Sequence, residues 1–294
     1  MAKKSYIRLR WIKPSATTTL LQMSKLSSLL LLLFVQHCAG QVLLPIGARA
    51  SALANSSVTL SDCWSHFHNP GIVPTNQQPQ FGLFYQTRFL AKELQQQAFS
   101  GVIPIKKGAL TVGGQFYGYE QFRATRIGVG YAQQLSAVFS MGIQGNFNQI
   151  RLGGNYGSSI RGTIEAGFFA NLSPKWKMGM SVFNIGRQHI WVNGDRFGTT
   201  MKIGASYEPS KKVKTLFEIE KQVLYPMNAK CAFEYFPNQA FALRLGTQTQ
   251  PFLIAFGFAY IKKNIQLDLS SQFHPVLGWT PSVGFNYLFH QHEN

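Results

Sequence analysis

The chain has 294 residues, of which 14% are aromatic and only 13% are charged, and its formal net charge is +17. Many aromatic and few charged residues exclude an intrinsically disordered chain. A helical protein with several membrane spans is excluded too, because each span needs about 18 consecutive apolar residues. The longest apolar run in this chain, Leu29–Val35, has seven.

The N-terminal residues 1–40 have the features of a targeting segment, with six basic residues and no acidic ones. Leu26–Val35 has the length of the apolar region of a secretory signal, and Cys38-Ala39-Gly40 supplies small residues before a cleavage site. We therefore predict a cleaved signal peptide over residues 23–40 and an upstream extension over residues 1–22. The alternative is one signal peptide with a long basic start.

Removing that segment leaves 22 of the 28 basic residues against all 11 acidic residues. A basic chain suggests nucleic-acid binding only when it carries a basic cluster or a known binding module. Neither is present after residue 40, so the sequence predicts no nucleic-acid partner.

Most of the chain after residue 80 alternates with a period of two between apolar and polar or small residues. Trp176–Val182, Ile265–Leu269 and Ser282–Phe289 are clear examples. Successive side chains of a β-strand point to opposite faces, so each segment is predicted to be a two-faced strand. Counting such segments from Phe81 gives about fourteen strands.

The connections between these strands form two sets. Long strands with tight turns at one end and longer loops at the other describe an up-and-down transmembrane β-barrel, with both of its ends on the periplasmic side. The predicted tight turns are Gln133–Ser136, Asn171–Lys175, Glu208–Lys212, Phe236–Gln239 and Ile261–Asn264, and the predicted longer connections are Arg151–Ser159, Gly186–Phe197, Lys221–Pro226 and His274–Thr280.

The two faces of the strands distinguish a membrane barrel from a soluble β-sandwich. A sandwich fills its core with the bulky face, whereas here the bulky aromatic face recurs on almost every strand and the other face is small or charged. We therefore predict that the bulky face meets lipid and the other face lines a lumen. The predicted lumen charges, which either pair across strands or tune ion selectivity, are Arg161, Glu165, Lys202, Lys230, Glu234, Arg244 and Asp268.

This assignment of faces makes two predictions about neighbouring residues. Phe256→Arg is expected to block membrane assembly, and Gly257→Ser is expected to be tolerated in the lumen. Cys231 falls on the lipid-facing side, so no disulfide with Cys63 is expected. Aromatic residues near strand ends are predicted to form interface girdles, namely Tyr85, Tyr131, Trp176, Tyr207, Tyr260 and Tyr287.

Residues 47–75 do not alternate, and three short motifs punctuate them: Gly47-Ala48-Arg49-Ala50, Asp62-Cys63-Trp64 and Asn69-Pro70-Gly71. These motifs resemble the N-terminal signature of the FadL-like and PorV/PorQ-type outer-membrane barrels of Bacteroidetes type, and with the strand pattern the resemblance covers most of residues 47–289. It implies that residues 41–78 form a hatch inside a barrel of residues 79–290. The residues that would line or fix this hatch are Arg49, Asp62, Trp64, Asn69, Pro70 and Gly71.

The resemblance implies a protein of the cell outer membrane, in contact with lipid, and two roles. The first is an accessory component of a secretion or transport machine, as in type IX secretion, bound to a large partner protein. The alternative is a hatch-gated FadL-like pore for a small or amphipathic solute. The long surface loops of FadL-type proteins are missing, which favours the accessory role.

Other chemistry has weak support in the sequence. Cys63-x-x-His66-x-His68 resembles a metal-binding motif but has no further ligands at a matching spacing. His189 and His274 lie in candidate outer loops without a nucleophile at a recognisable spacing. The sequence therefore predicts no enzyme, no catalytic or metal-binding residue and no cofactor.

Overall fold

The computed structural model describes residues 45–190, 197–223 and 225–289, so the predicted extension and signal peptide lie outside the described residues. The described strands number fourteen and form one closed antiparallel barrel, in which β1 pairs with both β2 and β14. The predicted fold class, an up-and-down barrel of about fourteen strands, is confirmed.

The strands have the following bounds: β1 Gln80–Thr87, β2 Gln95–Ile105, β3 Gly108–Tyr119, β4 Phe122–Gln134, β5 Phe139–Leu152, β6 Ser158–Asn171, β7 Trp176–Phe183, β8 Thr200–Ser210, β9 Val213–Gln222, β10 Asn228–Asn238, β11 Phe241–Thr249, β12 Phe252–Lys262, β13 Ile265–His274 and β14 Gly278–Leu288. Two short helices, α1 (Ala48–Ala52) and α2 (Ser65–His68), precede β1 and are followed by a 3-10 segment, Pro70–Thr75. Further 3-10 turns cover Arg88–Leu90, Lys92–Leu94 and Gly154–Tyr156.

The connections between strands gather at two ends of the barrel. The turn end holds the start of β1, the end of β14 and tight connections such as residues 211–212 and 263–264. The loop end holds longer connections, of which residues 184–199 form the longest. The five predicted tight turns all fall at the turn end, as expected. The loop end differs from expectation because it also has two-residue connections, at 120–121 and 250–251.

The outer wall of the barrel is apolar, as the alternation predicts. On β12, Phe252 and Phe256 are 49% and 45% exposed, whereas Leu253 and Ala255 between them are 7% and 0% exposed. Hydrocarbon offers no hydrogen-bond partners, and a closed ladder satisfies the backbone groups of every strand. The barrel therefore presents to lipid a surface that lipid can solvate. Among the described residues, no helix has the length and hydropathy needed to cross a membrane.

Aromatic side chains lie near the strand ends on this wall. Tyr85, Tyr131, Trp176 and Tyr260 are exposed on the outside. The rings of Trp176 and Tyr207 stack with their centroids 4.6 Å apart. All of the predicted girdle residues except Tyr85 lie near the turn end, where amphipathic rings fit the boundary between lipid tails and water.

Candidate functional site: the interface between hatch and wall

The described residues that precede β1, residues 45–79 and hereafter the hatch, lie inside the barrel. Most of them are buried, and Leu53, Ala54 and Trp64 are at most 1% exposed. Helix α1 packs against β12, β13 and β14, and the 3-10 segment packs against β4, β5 and β6. The lumen at this level is therefore filled by protein.

Glycines on the inner face of the wall let the hatch backbone approach closely. A Cβ atom added to Gly71 of the hatch would lie 2.6 Å from the carbonyl carbon of Gly167 on β6. A Cβ atom added to Gly142 on β5 would lie 2.6 Å from the carbonyl carbon of Pro70. Only glycine fits at such contacts. Inward glycines were present in the sequence as a signal of this packing, but sequence reasoning did not use them.

The expectation that Gly257→Ser is tolerated in the lumen is corrected by this packing. A Cβ atom at Gly257 would lie 2.5 Å from the Cβ atom of Ala52 in α1 and 2.8 Å from the carbonyl oxygen of Leu269. The expectation assumed open space on the inner face, and α1 occupies that space. The outward exposure of the neighbouring Phe256 agrees with its predicted facing.

A chain of ion pairs joins the hatch to three wall strands. Arg49 of α1 donates to Glu234 on β10 at 2.9 Å and 2.7 Å, and to Asp62 of the hatch at 3.3 Å. Arg244 on β11 donates to the same Glu234 at 2.7 Å and also to Asp268 on β13. The wall residues Glu234, Arg244 and Asp268 are at most 4% exposed. Buried charges of this kind need partners, and here hatch and wall supply them jointly.

Trp64 and Cys63 join the same network through Asn286 on β14. The indole Nε1 of Trp64 donates to the Asn286 side-chain oxygen at 2.8 Å, and the Cys63 thiol donates to it at 3.2 Å. Asn286 in turn donates to Asp268 at 2.8 Å. Cys63 is buried and Cys231 is exposed on the outer wall, and both are free thiols, as expected.

The Asn69 side chain forms hydrogen bonds both within the hatch and to the barrel wall. Its side-chain nitrogen donates to the carbonyl oxygens of Val58 at 2.9 Å and of Phe168 on β6 at 3.0 Å. Its side-chain oxygen accepts from the backbone N–H of Gly71 at 2.9 Å. The Ser140 hydroxyl of β5 donates to the Gly71 carbonyl at 2.6 Å. The Asn69-Pro70-Gly71 turn therefore lies at the contact between the hatch and strands β5 and β6.

A second ionic cluster holds the loop between α1 and α2. Lys230 on β10 donates to Glu218 at 2.7 Å and to Glu220 at 2.8 Å, both on β9, and to the carbonyl of Asn55 at 3.0 Å. Glu218 accepts the backbone N–H groups of Ser57 at 2.7 Å and Val58 at 2.8 Å. Lys230 was predicted to face the lumen. Its two carboxylate partners were not among the predicted lumen charges, although they occupy alternate positions on one strand.

A third pair lies on the loop-end side of the hatch. Arg126 on β4 donates to Glu165 on β6 at 2.6 Å and to Asn146 on β5 at 3.1 Å. Its guanidinium also lies over the rings of Phe67 in the hatch and Phe183 on β7, at 5.5 Å and 4.9 Å from their centroids. Glu165 was a predicted lumen charge, and Arg126 was missed.

The two remaining predicted lumen charges, Arg161 and Lys202, are half-buried. Arg161 donates to the carbonyl of Ile160 at 2.7 Å. Within the part of the chain that the structure describes, neither side chain lies within 4.0 Å of a carboxylate. They differ in this respect from the five others, which are buried in ion pairs.

The hatch histidines make separate hydrogen bonds instead of converging. His66 Nδ1 bonds the Thr111 hydroxyl at 2.8 Å, and His68 Nε2 bonds the Ile46 carbonyl at 2.8 Å. Burial lowers the pKa of His66 to about 3 and that of His68 to about 4. No three ligand-type side chains among the described residues form a group that could hold a metal ion.

Comparisons with known proteins give no match in sequence. No protein-family profile matches the chain, and no curated protein matches it.

Solved structures match it in fold. The CymD monoaromatic hydrocarbon channel has a TM-score of 0.64 at 13% identity, over 86% of this chain and 100% of its own. The toluene transporter TodX of Pseudomonas putida has a TM-score of 0.64 at 12% identity, over 85% of this chain and 98% of its own. A FadL homologue of Pseudomonas aeruginosa has a TM-score of 0.60 at 9% identity, over 86% of this chain and 100% of its own. The chain therefore has the FadL-like outer-membrane barrel fold, and two of these structures are named as a channel and a transporter.

Proposed function

We propose that this protein is a hatch-gated channel that passes small amphipathic solutes across the outer membrane. The observation that carries the proposal is the independence of barrel and hatch. The barrel closes through the pairing of β1 with β14, and no hatch residue belongs to a strand. The hatch can therefore leave the lumen without breaking a strand ladder.

The contacts that hold the hatch suit a reversible plug. Arg49, Asn69 and Asn55 reach the wall through ion pairs and hydrogen bonds. Such groups recover hydration when they separate, so the net free energy of a buried ion pair is much smaller than its Coulomb attraction. An apolar plug of the same area would gain no such hydration when it left the lumen, so its displacement would cost more free energy.

The lining on the loop-end side of the hatch supports an amphipathic cargo. Phe67 and Phe183 flank the Arg126 guanidinium, and Asn148 beside them is buried with its side-chain oxygen unpartnered among the described residues. Ligand sites typically combine apolar walls with a few polar groups of this kind. The names of the matched structures, a monoaromatic hydrocarbon channel and toluene transporters, agree with a cargo of small size.

Planar-bilayer conductance of the purified folded chain tests the proposal. We expect little current from the wild type and a steady current after deletion of residues 41–75. Uptake of radiolabelled toluene and benzoate into cells that express the chain then identifies the cargo. The absence of both current and solute uptake, before and after the deletion, would contradict a channel.

The second candidate is the accessory role of PorV/PorQ-type proteins in a secretion machine. The filled lumen and the two-residue loop-end connections at 120–121 and 250–251 support it, because a scaffold needs neither a passage nor long binding loops. Purification in mild detergent tests it. A large stoichiometric partner together with zero conductance after deletion of the hatch would favour this role.

A further inference from the structure

Two arginines lie side by side on the outer wall near the loop end. Arg123 on β4 and Arg151 on β5 are direct partners in the strand register. Both are exposed, on the same outward face as Ile127 and Phe147. Side chains at such positions are about 5 Å apart at Cβ, and like charges placed there repel each other.

Within the described ranges, no carboxylate neutralises this pair. Among the described residues, neither guanidinium has a carboxylate oxygen within 4.0 Å. The inward-facing Arg126 has one such carboxylate and the inward-facing Arg244 has two. Glu120, in the connection before β4, is the acid closest to Arg123 in sequence, and it forms no such pair either. An anion from outside the chain would relieve the repulsion.

The depth of the pair matches the lipid headgroups. The rung two residues away from the arginines pairs Thr125 with Gln149, and it is flanked by the outward-facing Phe116 on β3 and Ile160 on β6. At about 3.4 Å per residue and a tilt of about 40°, the arginines lie roughly 5 Å beyond these apolar side chains. Headgroup layers are about 5–8 Å thick, and long cationic side chains reach toward them.

The neighbouring strands leave room for a headgroup at this level. The partner of Arg123 on β3 is Gly118, which has no side chain, and the partner of Arg151 on β6 is Ser158, whose exposed hydroxyl is a further donor. The four residues Gly118, Arg123, Arg151 and Ser158 therefore present two guanidinium groups and one hydroxyl to a ligand. The glycine leaves space beside Arg123.

The wall below the arginines has a shallow depression of the kind that holds an acyl chain. Gly145 and Gly162 both face outward beside Phe147. A Cβ atom at Gly145 would meet nothing within 4 Å, and one at Gly162 would meet only a backbone oxygen at 4.0 Å. These glycines therefore lower the wall where a lipid tail would run.

We propose that Arg123 and Arg151 bind the phosphate of an anionic lipid in the leaflet at the loop end, with its acyl chain along Gly145 and Gly162. Guanidinium groups bind phosphate oxygens in pairs of parallel hydrogen bonds, which makes arginine a better fit than lysine. Two facing forks hold one phosphorylated headgroup. This site is separate from the lumen and does not depend on the proposed transport function.

Native mass spectrometry of the folded full chain in detergent tests the site with diphosphoryl lipid A as the probe. We expect one retained lipid on the wild type and at least a tenfold weaker affinity for R123Q/R151Q. The matched control is K106Q/K107Q, which removes the same charge at the turn end and is expected to bind as the wild type does. Heat-modifiable gel mobility verifies that each variant is folded, and the single variants R123Q and R151Q replace the double variant where it does not fold.

Three further results decide between kinds of ligand. R123K/R151K keeps the charge without the paired hydrogen bonds and is expected to bind more weakly than the wild type. Dephosphorylated lipid A is expected not to bind, and millimolar inorganic phosphate is expected not to displace the lipid. An equal loss of lipid binding in R123Q/R151Q and in the control K106Q/K107Q would overturn the assignment to a specific lipid site. Displacement of the lipid by inorganic phosphate would overturn it as well.

Discussion

Arg49 of the hatch and Glu234 of β10 lie 185 residues apart in sequence and meet in two hydrogen bonds, of 2.9 Å and 2.7 Å. Glu234 is fully buried and also accepts from Arg244. Glu234 therefore bridges a residue of the hatch and a residue of the wall. Because the desolvation of buried charges offsets much of their attraction, we infer that this bridge mainly fixes where the hatch docks.

Replacing Arg49 is therefore expected to loosen the hatch without unfolding the barrel. Arg49→Gln removes a charged hydrogen-bonding partner, at a cost of about 1–3 kcal/mol, which corresponds to roughly 5–150-fold more frequent undocking. The buried Cys63 thiol reports this event. In a Cys231→Ser background, its rate of maleimide labelling is expected to rise by that factor.

Lys177→Gln is the control for this experiment. Lys177 forms an ion pair with Glu208 at 2.8 Å, between β7 and β8, and this pair includes no hatch residue. Its removal is expected to leave the labelling of Cys63 unchanged. A similar acceleration in both variants would show that the labelling follows general loosening of the barrel.

A single methyl group at Gly167 is expected to displace the hatch. A Cβ atom at this position would lie 2.8 Å from the backbone nitrogen of Gly71 and 3.0 Å from Pro70 Cδ. Overpacking of this kind costs about 1–3 kcal/mol. Gly145→Ala is the matched control, because its Cβ atom would face open space on the outer wall. Gly167→Ala is expected to give current in planar bilayers, and Gly145→Ala is not. Equal behaviour of the two variants would contradict the close packing of hatch and wall.

The sequence predicts the barrel well because one local rule, alternation, assigns the face of every strand residue. That rule places Glu234 and Phe256 on opposite faces, as the structure does. Alternation carries no information on which distant residues meet, so the pairing of Arg49 with Glu234 could not be derived. The prediction for Gly257 was wrong for the same reason, because strand parity says nothing about what fills the lumen. Glycine spacing on the inner face was a usable signal of a closely packed hatch.

Phe256→Arg is expected to impair membrane assembly. Phe256 is 45% exposed on the outer wall in the middle of β12. An arginine facing lipid near the bilayer midplane costs about 2–4 kcal/mol. Phe256→Leu keeps the site apolar and serves as the control. Folding yield into vesicles, read from heat-modifiable gel mobility, is expected to fall for the arginine variant only. Normal assembly of Phe256→Arg would mean that this face of β12 does not meet lipid.

Acid is expected to weaken hatch docking through two histidines. Burial lowers the pKa of His66 to about 3 and that of His68 to about 4, whereas the pKa of an exposed histidine is about 6.5. The docked state therefore excludes protons that the undocked state binds, so docking is strongest above pH of about 6.5 and weakens as the pH falls. Each histidine contributes up to about 1.4 kcal/mol per pH unit below that value.

Channel current at pH 7.5, 6.5 and 5 measures this effect while most carboxylates stay ionised. The wild-type current is expected to rise toward pH 5. His66→Gln with His68→Gln keeps hydrogen-bonding groups at both positions but does not titrate, so its current is expected to stay level across the range. A wild-type current that is independent of pH, or an unchanged rise in the double variant, would show that protonation of these histidines does not control the hatch.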